Sequence, residues 1–341
     1  MLNTVKALCE LNGVASWEDE VRSYLTERAK PYASKLHVDA MGNLIVFKSG
    51  TKPTGKKLML CSHMDEVGVI IRGITDEGYL KFSCIGSIDR RVLLGKKLLI
   101  GSNKVRGIVG LKAYHLVSAE EEKHVPKLQE FYIDIGAKDK DAAEALVELG
   151  DVGVFDSECI EFGDGMLKAK ALDSRVGCAL MLKLLESDLP MDCTFVFTVQ
   201  EEVGTRGAFG AAFSVEPEIA LVLDGISAGD IPSVAEHRQT CCLGKGVVLS
   251  AMDSGTIYDR SLFEQLRDLA EQNSVSWQFK HDTAGTTDAA AVQRSKNGVR
   301  VCAVSIPVRS PHMPAGVVCI KDLEAMMRLV ELFMRDLATR D

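Results

Sequence analysis

Apolar and polar positions follow two different patterns along this chain. Towards both ends, short apolar runs typical of buried strands alternate with segments in which apolar residues recur every three or four positions, as on one face of a helix. This alternation predicts an α/β fold with an open, mostly parallel sheet. The predicted helices cover residues 5–11, 17–25 with Ser16 as the cap, 176–185, 260–272 and 322–337.

The pattern changes between residues 69 and 161. Short β-branched strands are separated there by turn sequences such as Asp76-Glu-Gly78 and Gly101-Ser-Asn103, and one helix is predicted over 139–149, before Gly150. Such spacing indicates a small β-barrel-like domain. We therefore predict one discontinuous α/β domain, residues 1–68 and 162–341, into which residues 69–161 are inserted.

Acidic and imidazole side chains follow several of the predicted strands. Glu201 and Glu202 end one apolar run, and His63 and Asp65 end another at a spacing of two. Neighbouring carboxylates repel each other, so burying such a pair requires nearby cations, and the alternative is a solvated strand end. In an extended segment Asp65 can hydrogen-bond one ring nitrogen of His63 while the other nitrogen faces a metal.

Three more candidates stand where strands end. Asp173 precedes a predicted helix and could equally be its N-cap, Asp224 ends residues 219–224, and His312 follows residues 301–307. The carboxyl ends of parallel strands meet in one crevice, so this architecture can bring all of these side chains together. Nitrogen and carboxylate donors without thiolate suit zinc, cobalt or manganese.

Composition excludes several other classes of protein. The 341 residues are 46% hydrophobic, which suffices for two domains, and the 48 acidic and 40 basic residues give a net charge of −8. This balance argues against nucleic acid as a partner. No apolar run approaches the roughly 18 residues of a membrane helix and no signal peptide is evident, so we expect a cytoplasmic protein without a membrane partner. The ten cysteines form no Cys-x-x-Cys pair and are expected to be reduced thiols.

The motifs, in their order, resemble those of the glutamyl and deblocking aminopeptidases. These are dinuclear metallopeptidases that form large tetrahedral assemblies, and some relatives were once labelled endoglucanases. The resemblance covers nearly the whole chain and is carried by the segments His63-Met-Asp-Glu-Val-Gly68, Leu172-Asp-Ser-Arg-Val-Gly-Cys178, Glu201-Glu-Val-Gly-Thr-Arg-Gly-Ala208, Asp224 with Ala228-Gly-Asp-Ile-Pro232, Leu243-Gly-Lys-Gly246 and Gly285-Thr-Thr-Asp288.

The resemblance implies a role for each of seven residues. His63 and Asp224 would bind one divalent ion, Glu202 and His312 a second, Asp173 would bridge both, Glu201 would be the general base, and Asp65 would orient His63. The segment from Arg309 to Val317 departs from the family by lacking a polar residue directly after the histidine and an acid three positions further on. The implied cofactors are two divalent ions per subunit, zinc or cobalt with manganese as a third option.

The resulting hypothesis is a metal-dependent aminopeptidase that removes N-terminal residues from short peptides. The resemblance also implies a homo-oligomer, a dodecamer built from dimers, with the inserted segment as its oligomerisation domain. Two alternatives stay open: an amidase or deacylase that uses the same site on acylated amino acids, and a non-catalytic peptide-binding assembly protein. A glycosidase fits less well, because its two carboxylates flank a bond about 5–9.5 Å apart, whereas Glu201 and Glu202 are chain neighbours.

Overall fold

A central eight-stranded sheet and a closed barrel form the computed structural model, which describes residues 1–52 and 55–340. The strands are β1 (Lys35–Val38), β2 (Leu44–Lys48), β3 (Leu58–His63), β4 (Gly68–Ile74), β5 (Leu80–Ile85), β6 (Lys97–Ile100), β7 (Val105–Gly110), β8 (Tyr132–Asp134), β9 (Val152–Phe155), β10 (Ile160–Phe162), β11 (Met166–Ala169), β12 (Cys193–Thr198), β13 (Ile219–Ser227), β14 (Val247–Leu249), β15 (Trp277–Phe279), β16 (Arg300–Val308) and β17 (Gly316–Cys319). The helices are α1 (Leu2–Glu10), α2 (Asp19–Ala29), α3 (Lys140–Glu144), α4 (Leu172–Leu185), α5 (Arg206–Val215), α6 (Arg260–Gln272), α7 (Ala289–Gln293) and α8 (Ile320–Thr339).

The large sheet has the strand order β1-β2-β12-β3-β13-β16-β14-β15. Its four central strands, β12, β3, β13 and β16, run parallel to one another, while β2 and β14 pair antiparallel at their flanks. Every residue of β3 is buried, because helices cover both faces of a sheet of this kind and its central strands are therefore apolar throughout. The predicted α/β fold class is confirmed.

Strand register places the ends of the central strands side by side. Thr198, the last residue of β12, pairs with His63, the last residue of β3, and Asp224 on β13 pairs with Ser305 on β16. The sheet therefore opens one crevice at the carboxyl ends of these four strands, as expected for parallel α/β sheets. Helix α4 packs against β3 and β13 and begins at this edge.

The closed barrel joins six antiparallel strands in the order β4-β5-β8-β7-β6-β9. Its core is a separate apolar cluster that includes Val69, Leu98, Ile100, Ile133 and Phe155. The barrel-like part of the fold prediction is thereby confirmed, and the domain boundaries at residues 68/69 and 161/162 stay a prediction. After the barrel, β10, β11 and β17 form a small antiparallel sheet beside the crevice.

Two local predictions were wrong. Ser16 does not cap a helix: α2 begins at Asp19 with Glu18 as its N-cap, and the Ser16 N–H instead donates to Glu18 Oε1 at 2.8 Å. The helix predicted over residues 139–149 is confined to α3, where the Asp139 side chain accepts a hydrogen bond from the Ala142 N–H. By contrast, α6 has the predicted bounds and α8 contains the predicted helix. Among the described residues, none of the helices has the length and apolar character needed to cross a bilayer.

Candidate metal centre

The crevice gathers the seven candidate side chains from five segments. His63 ends β3, Asp65 follows it, and Glu201 and Glu202 lie just beyond β12. The other three positions are Asp173 in the first turn of α4, Asp224 within β13 and His312 in the loop after β16.

Asp173 stands between two sets of potential ligands. Its Oδ1 lies 3.5 Å from His63 Nε2, and its Oδ2 lies 3.5 Å from His312 Nε2. His63 Nε2 is also 3.6 Å from Asp224 Oδ1, and His312 Nε2 is 3.3 Å from Glu202 Oε2. In each set the potential ligand atoms lie within 4.8 Å of one another. Asp173 thus belongs to both sets and presents a different oxygen to each.

The carboxylates of this site are buried or half-buried, and among the described residues none of them pairs with a lysine or arginine. In the part of the chain that the structure describes, their ion pairs are made with His63 and His312 alone. Burial raises the pKa of Asp224 to about 8 and that of Glu202 to about 7. Such shifts mean that the ionised carboxylates lack sufficient positive charge, which a divalent cation would supply.

The two histidines experience the opposite influence. Burial alone would lower the pKa of His312, but the carboxylates of Asp173 and Glu202 raise it to about 9. Burial likewise disfavours the charged form of His63, yet the surrounding carboxylates raise its pKa well above its ordinary value. The site therefore attracts a cation at each imidazole, either a proton or a metal ion.

Asp65 contacts more than the histidine it was predicted to orient. His63 Nδ1 donates to the backbone carbonyl of Asp65 at 3.1 Å, and the Asp65 carboxylate lies 3.5 Å away. That carboxylate accepts hydrogen bonds from the N–H groups of Glu201 at 3.0 Å and Glu202 at 3.1 Å. Asp65 therefore fixes the backbone of both adjacent glutamates, a contact that the local spacing of His63 and Asp65 does not reveal.

Backbone groups complete the support of the ligands. The Gly225 N–H donates to Asp224 Oδ1 at 2.8 Å and to Asp173 Oδ1 at 3.2 Å. A Cβ at this position would lie 2.9 Å from Asp173 Oδ1, so the close approach requires glycine. His312 Nδ1 donates to the carbonyl of Ser87 at 3.1 Å, which connects the second set to the segment that follows β5.

A cavity of about 350 Å³ opens onto both sets of ligands. Its wall includes Glu201 and, further from the ligands, Ser250, Tyr258 and the charged residues Lys280 and Asp282. The size suits a small substrate, and the mixture of donors and acceptors suits a polar one. Arg206, considered above as part of the Glu201 motif, is exposed at the start of α5 and does not contribute to this wall.

Sequence reasoning missed two groups behind the site. Asp288 is buried at the N-terminus of α7, accepts a hydrogen bond from the Thr198 hydroxyl, and has its pKa raised by burial to about 6. Its motif was recognised, but it was given no role. The second group joins Glu66 to Lys170 and Arg175, residues far apart in sequence, so no local pattern could have shown it.

Comparisons with known proteins give a consistent result. The family model of the M42 glutamyl aminopeptidases matches residues 42–329. The lysyl aminopeptidase of Pyrococcus furiosus is 26% identical over 99% of this chain and 97% of its own.

Solved structures show the same similarity. The aminopeptidase APDkam598 of the archaeon Desulfurococcus kamchatkensis is 34% identical, with a TM-score of 0.93 over 98% of this chain and 94% of its own. The TET1 peptidase of Pyrococcus horikoshii, described as able to assemble into a tetrahedron or a large octahedral shell, is 32% identical. Its TM-score is 0.84 over 97% of this chain and 98% of its own.

Proposed function

The chain belongs to the M42 glutamyl aminopeptidase family and is a peptide hydrolase, and from that premise we propose a dinuclear metal-dependent aminopeptidase that acts on short peptides. The observation that carries the proposal is the position of Asp173. Its two carboxylate oxygens each lie 3.5 Å from the Nε2 of a different histidine, as a carboxylate that bridges two ions requires.

The side chains present fit two divalent ions. His63 and Asp224 would hold one ion, Glu202 and His312 the other, and Asp173 both. The donors in both sets are nitrogen and oxygen without sulfur, a combination suited to zinc or cobalt, with manganese as a third option. Each set also includes a carboxylate whose pKa is raised by burial, so an added positive charge would stabilise its ionised form.

Bound divalent ions supply Lewis acidity, which lowers the pKa of a water and polarises the scissile carbonyl. Glu201 then acts as the general base: a carboxylate oxygen of Glu201 accepts the proton of the attacking water and passes it to the leaving amine. Burial raises the pKa of Glu201 well above its ordinary value, which makes it a stronger base than an exposed glutamate. Asp65 holds the Glu201 N–H at 3.0 Å and so orients this base as well as His63.

The cavity is proposed to bind the N-terminal residue of the peptide. A free α-amine is cationic, and the surplus of carboxylates around Glu201 and Glu202 favours a cation there. This preference would restrict cleavage to the first peptide bond. The family is described as glutamyl and the Pyrococcus furiosus relative as lysyl, and the cavity wall of this chain bears charges of both signs at Lys280 and Asp282.

We further propose that the protein acts as a homo-oligomer in the cytoplasm, and specifically as a dodecamer built from dimers. The barrel region, residues 69–161, exposes large apolar side chains, among them Ile108, Tyr114 and Leu116. Where exposed apolar side chains form one contiguous patch, they mark a surface that packs against another subunit. The described assembly of the Pyrococcus horikoshii TET1 peptidase supports the same proposal.

A metal-reconstituted activity screen tests this function. Protein stripped with a chelator should be inactive, and zinc, cobalt or manganese should restore hydrolysis of aminoacyl anilides and short peptides. The matched substrates are the same peptides with an acetylated N-terminus, which should resist cleavage. Preferential hydrolysis of acylated amino acids would instead establish the amidase or deacylase alternative. Peptide binding without hydrolysis under every metal would establish the non-catalytic one.

A further inference from the structure

A buried charge cluster, which we call the Glu66 clamp, consists of Glu66, Lys170 and Arg175. Lys170 Nζ donates to Glu66 Oε1 at 2.6 Å and to Oε2 at 2.8 Å, and Arg175 Nη2 donates to Oε1 at 3.4 Å. The side chains are only 0–4% exposed. Burying three charges is costly, and such a cluster adds less to stability than its short contacts suggest. A role other than stability therefore needs to be considered.

The two cations of the clamp flank the proposed bridging ligand. Lys170 precedes Asp173 by three residues and Arg175 follows it by two. Between them the backbone is irregular: Ala171 has a φ of 53°, and the φ and ψ angles of Asp173 are not helical. In an irregular segment the position of a side chain depends on what holds the two ends. Here both ends contact the Glu66 carboxylate, and Lys170 and Arg175 also donate to the carbonyls of Leu11 and Leu8, each at 2.7 Å.

That carboxylate belongs to the segment carrying His63 and Asp65. Glu66 directly follows Asp65, and it also accepts a hydrogen bond from the Gly13 N–H at 3.1 Å. The clamp therefore joins the end of β3 and the residues after it to the segment formed by Lys170 and the first turn of α4, two parts of the chain that are about a hundred residues apart. Each part contributes a ligand to the first ion set.

The clamp also borders the second ion set. A cavity of about 10 Å³, lined among others by Glu66, Lys170, Asp173, Glu202 and His312, lies between them. This volume is about that of a single water site. A shift of the clamp would therefore be transmitted to Asp173 across at most one solvent molecule.

We propose that Glu66 is a positioning residue that sets the distance between Asp173 and His63, and through it the affinity of the centre for the ion that His63, Asp224 and Asp173 would hold. This inference rests on the proposed dinuclear site. It assigns the buried cluster a function in metal binding, and Glu66 contacts neither substrate nor ion. The clamp acts by holding two backbone segments at a fixed distance from each other.

The test is a Co²⁺ titration of metal-free protein, followed by visible absorption. Glu66→Gln should weaken the binding of one of the two Co²⁺ ions, the one that His63, Asp224 and Asp173 would hold, by at least roughly tenfold and alter its absorption bands. Lys170→Met should do the same, and the double variant should be no worse than either single one, because both act through one contact. The matched control is Asp322→Asn, since Asp322 is also a buried carboxylate, with hydrogen bonds from the N–H groups of Gly244 and Gly246. It should lower the melting temperature and leave both Co²⁺ affinities unchanged.

The possible outcomes separate this inference from the proposed function. Wild-type protein that binds fewer than two ions contradicts the dinuclear site itself. A second outcome is that wild-type protein binds two Co²⁺ ions and that the folded Glu66 and Lys170 variants show the same Co²⁺ affinities and absorption spectrum. This outcome overturns the positioning role alone. If the single variants do not fold, the double variant decides, because it removes one charge of each sign and leaves the net charge of the cluster unchanged.

Discussion

The sheet region and the barrel region of this molecule use β-structure in opposite ways. Both clusters of potential metal ligands among the described residues lie in the crevice at the carboxyl ends of the central strands of the large sheet. The barrel contributes a backbone carbonyl, that of Ser87, through the segment after β5. One region thus carries the candidate chemistry, and the other packs beside it.

Topology explains the difference. Parallel strands end side by side, so polar residues just beyond each apolar strand converge in one crevice. In a closed antiparallel barrel, inward residues fill the interior and neighbouring strands run in opposite directions, so their carboxyl ends alternate between the two ends of the barrel. An acid at the end of a parallel strand is therefore a stronger functional signal than an acid in a barrel.

Removing the shared ligand is the strongest way to test this comparison. Asp173→Ala should abolish binding of both ions, because one carboxylate serves both sets, and should lower kcat by at least about 10³-fold, since metal Lewis acidity is worth several kcal/mol. Metal analysis and steady-state kinetics measure the two effects. Two tightly bound ions and full activity in this variant would show that Asp173 does not bridge.

The next largest effect separates two neighbours within the sheet region. Glu201→Gln should lower kcat by roughly 10²-fold or more and leave metal content nearly intact, as expected for loss of a general base. Glu202→Gln should weaken the ion held with His312, because Glu202 Oε2 lies 3.3 Å from His312 Nε2. Equal metal loss in the two variants, or the reverse pattern, would exchange or remove the assigned roles.

Features of these regions that depend on residues close together in sequence could be predicted, whereas those that depend on contacts between distant residues could not. The bounds of α6 were predicted because its apolar periodicity is local, and in the structure the Asp259 side chain caps its first turn. The candidate metal ligands were proposed for the same reason, since each stands at or shortly after the end of an apolar run. The closure of the barrel could be predicted as a type of fold, but its strand order could not, because pairing such as β4 with β9 joins distant residues.

Contacts that form only after folding were missed. Asp65 was predicted to orient His63, two residues away. Its carboxylate also accepts hydrogen bonds from the N–H groups of Glu201 and Glu202, which lie beyond the end of the neighbouring strand β12. The Glu66 clamp joins two distant segments in the same way. At Ser16 a local rule failed, because buried Glu18 accepts the Ser16 and Gln200 N–H groups and moves the start of the helix to Asp19.

A matched pair of surface variants sharpens the comparison at the level of assembly. Ile108 in the barrel is 55% exposed and Phe209 on α5 is 53% exposed, so the two present similar apolar surfaces to solvent. Ile108→Asp should reduce the particle mass measured by light scattering at micromolar concentration, because a charge buried in an apolar interface costs several kcal/mol. Phe209→Asp should leave the mass unchanged. A strictly monomeric wild-type protein under metal-replete conditions would refute the assembly role altogether.

The smallest expected effect is a pH dependence of the melting temperature, caused by titratable groups in the crevice of the large sheet. In metal-free protein the neighbouring carboxylates raise the pKa of His312 to about 9 against the influence of burial, and burial raises that of Glu202 to about 7. A group whose pKa is raised on folding stabilises the folded state at pH values below its unfolded-state pKa. This stabilisation is lost as the pH rises through the folded-state pKa. The melting temperature of metal-free protein should therefore fall by a few degrees between pH 6 and pH 9.

Metal-loaded protein should show the opposite slope over this range, because its ligands bind metal only when deprotonated and the bound metal stabilises the fold. The matched control is Ile133→Ala in the barrel core, where Ile133 is fully buried. It should lower both melting curves, by about 2–5 kcal/mol of stability, and change neither slope. Parallel slopes for metal-free and metal-loaded wild type would mean that the titrating groups are not the metal ligands, and would remove the electrostatic distinction between the sheet crevice and the barrel.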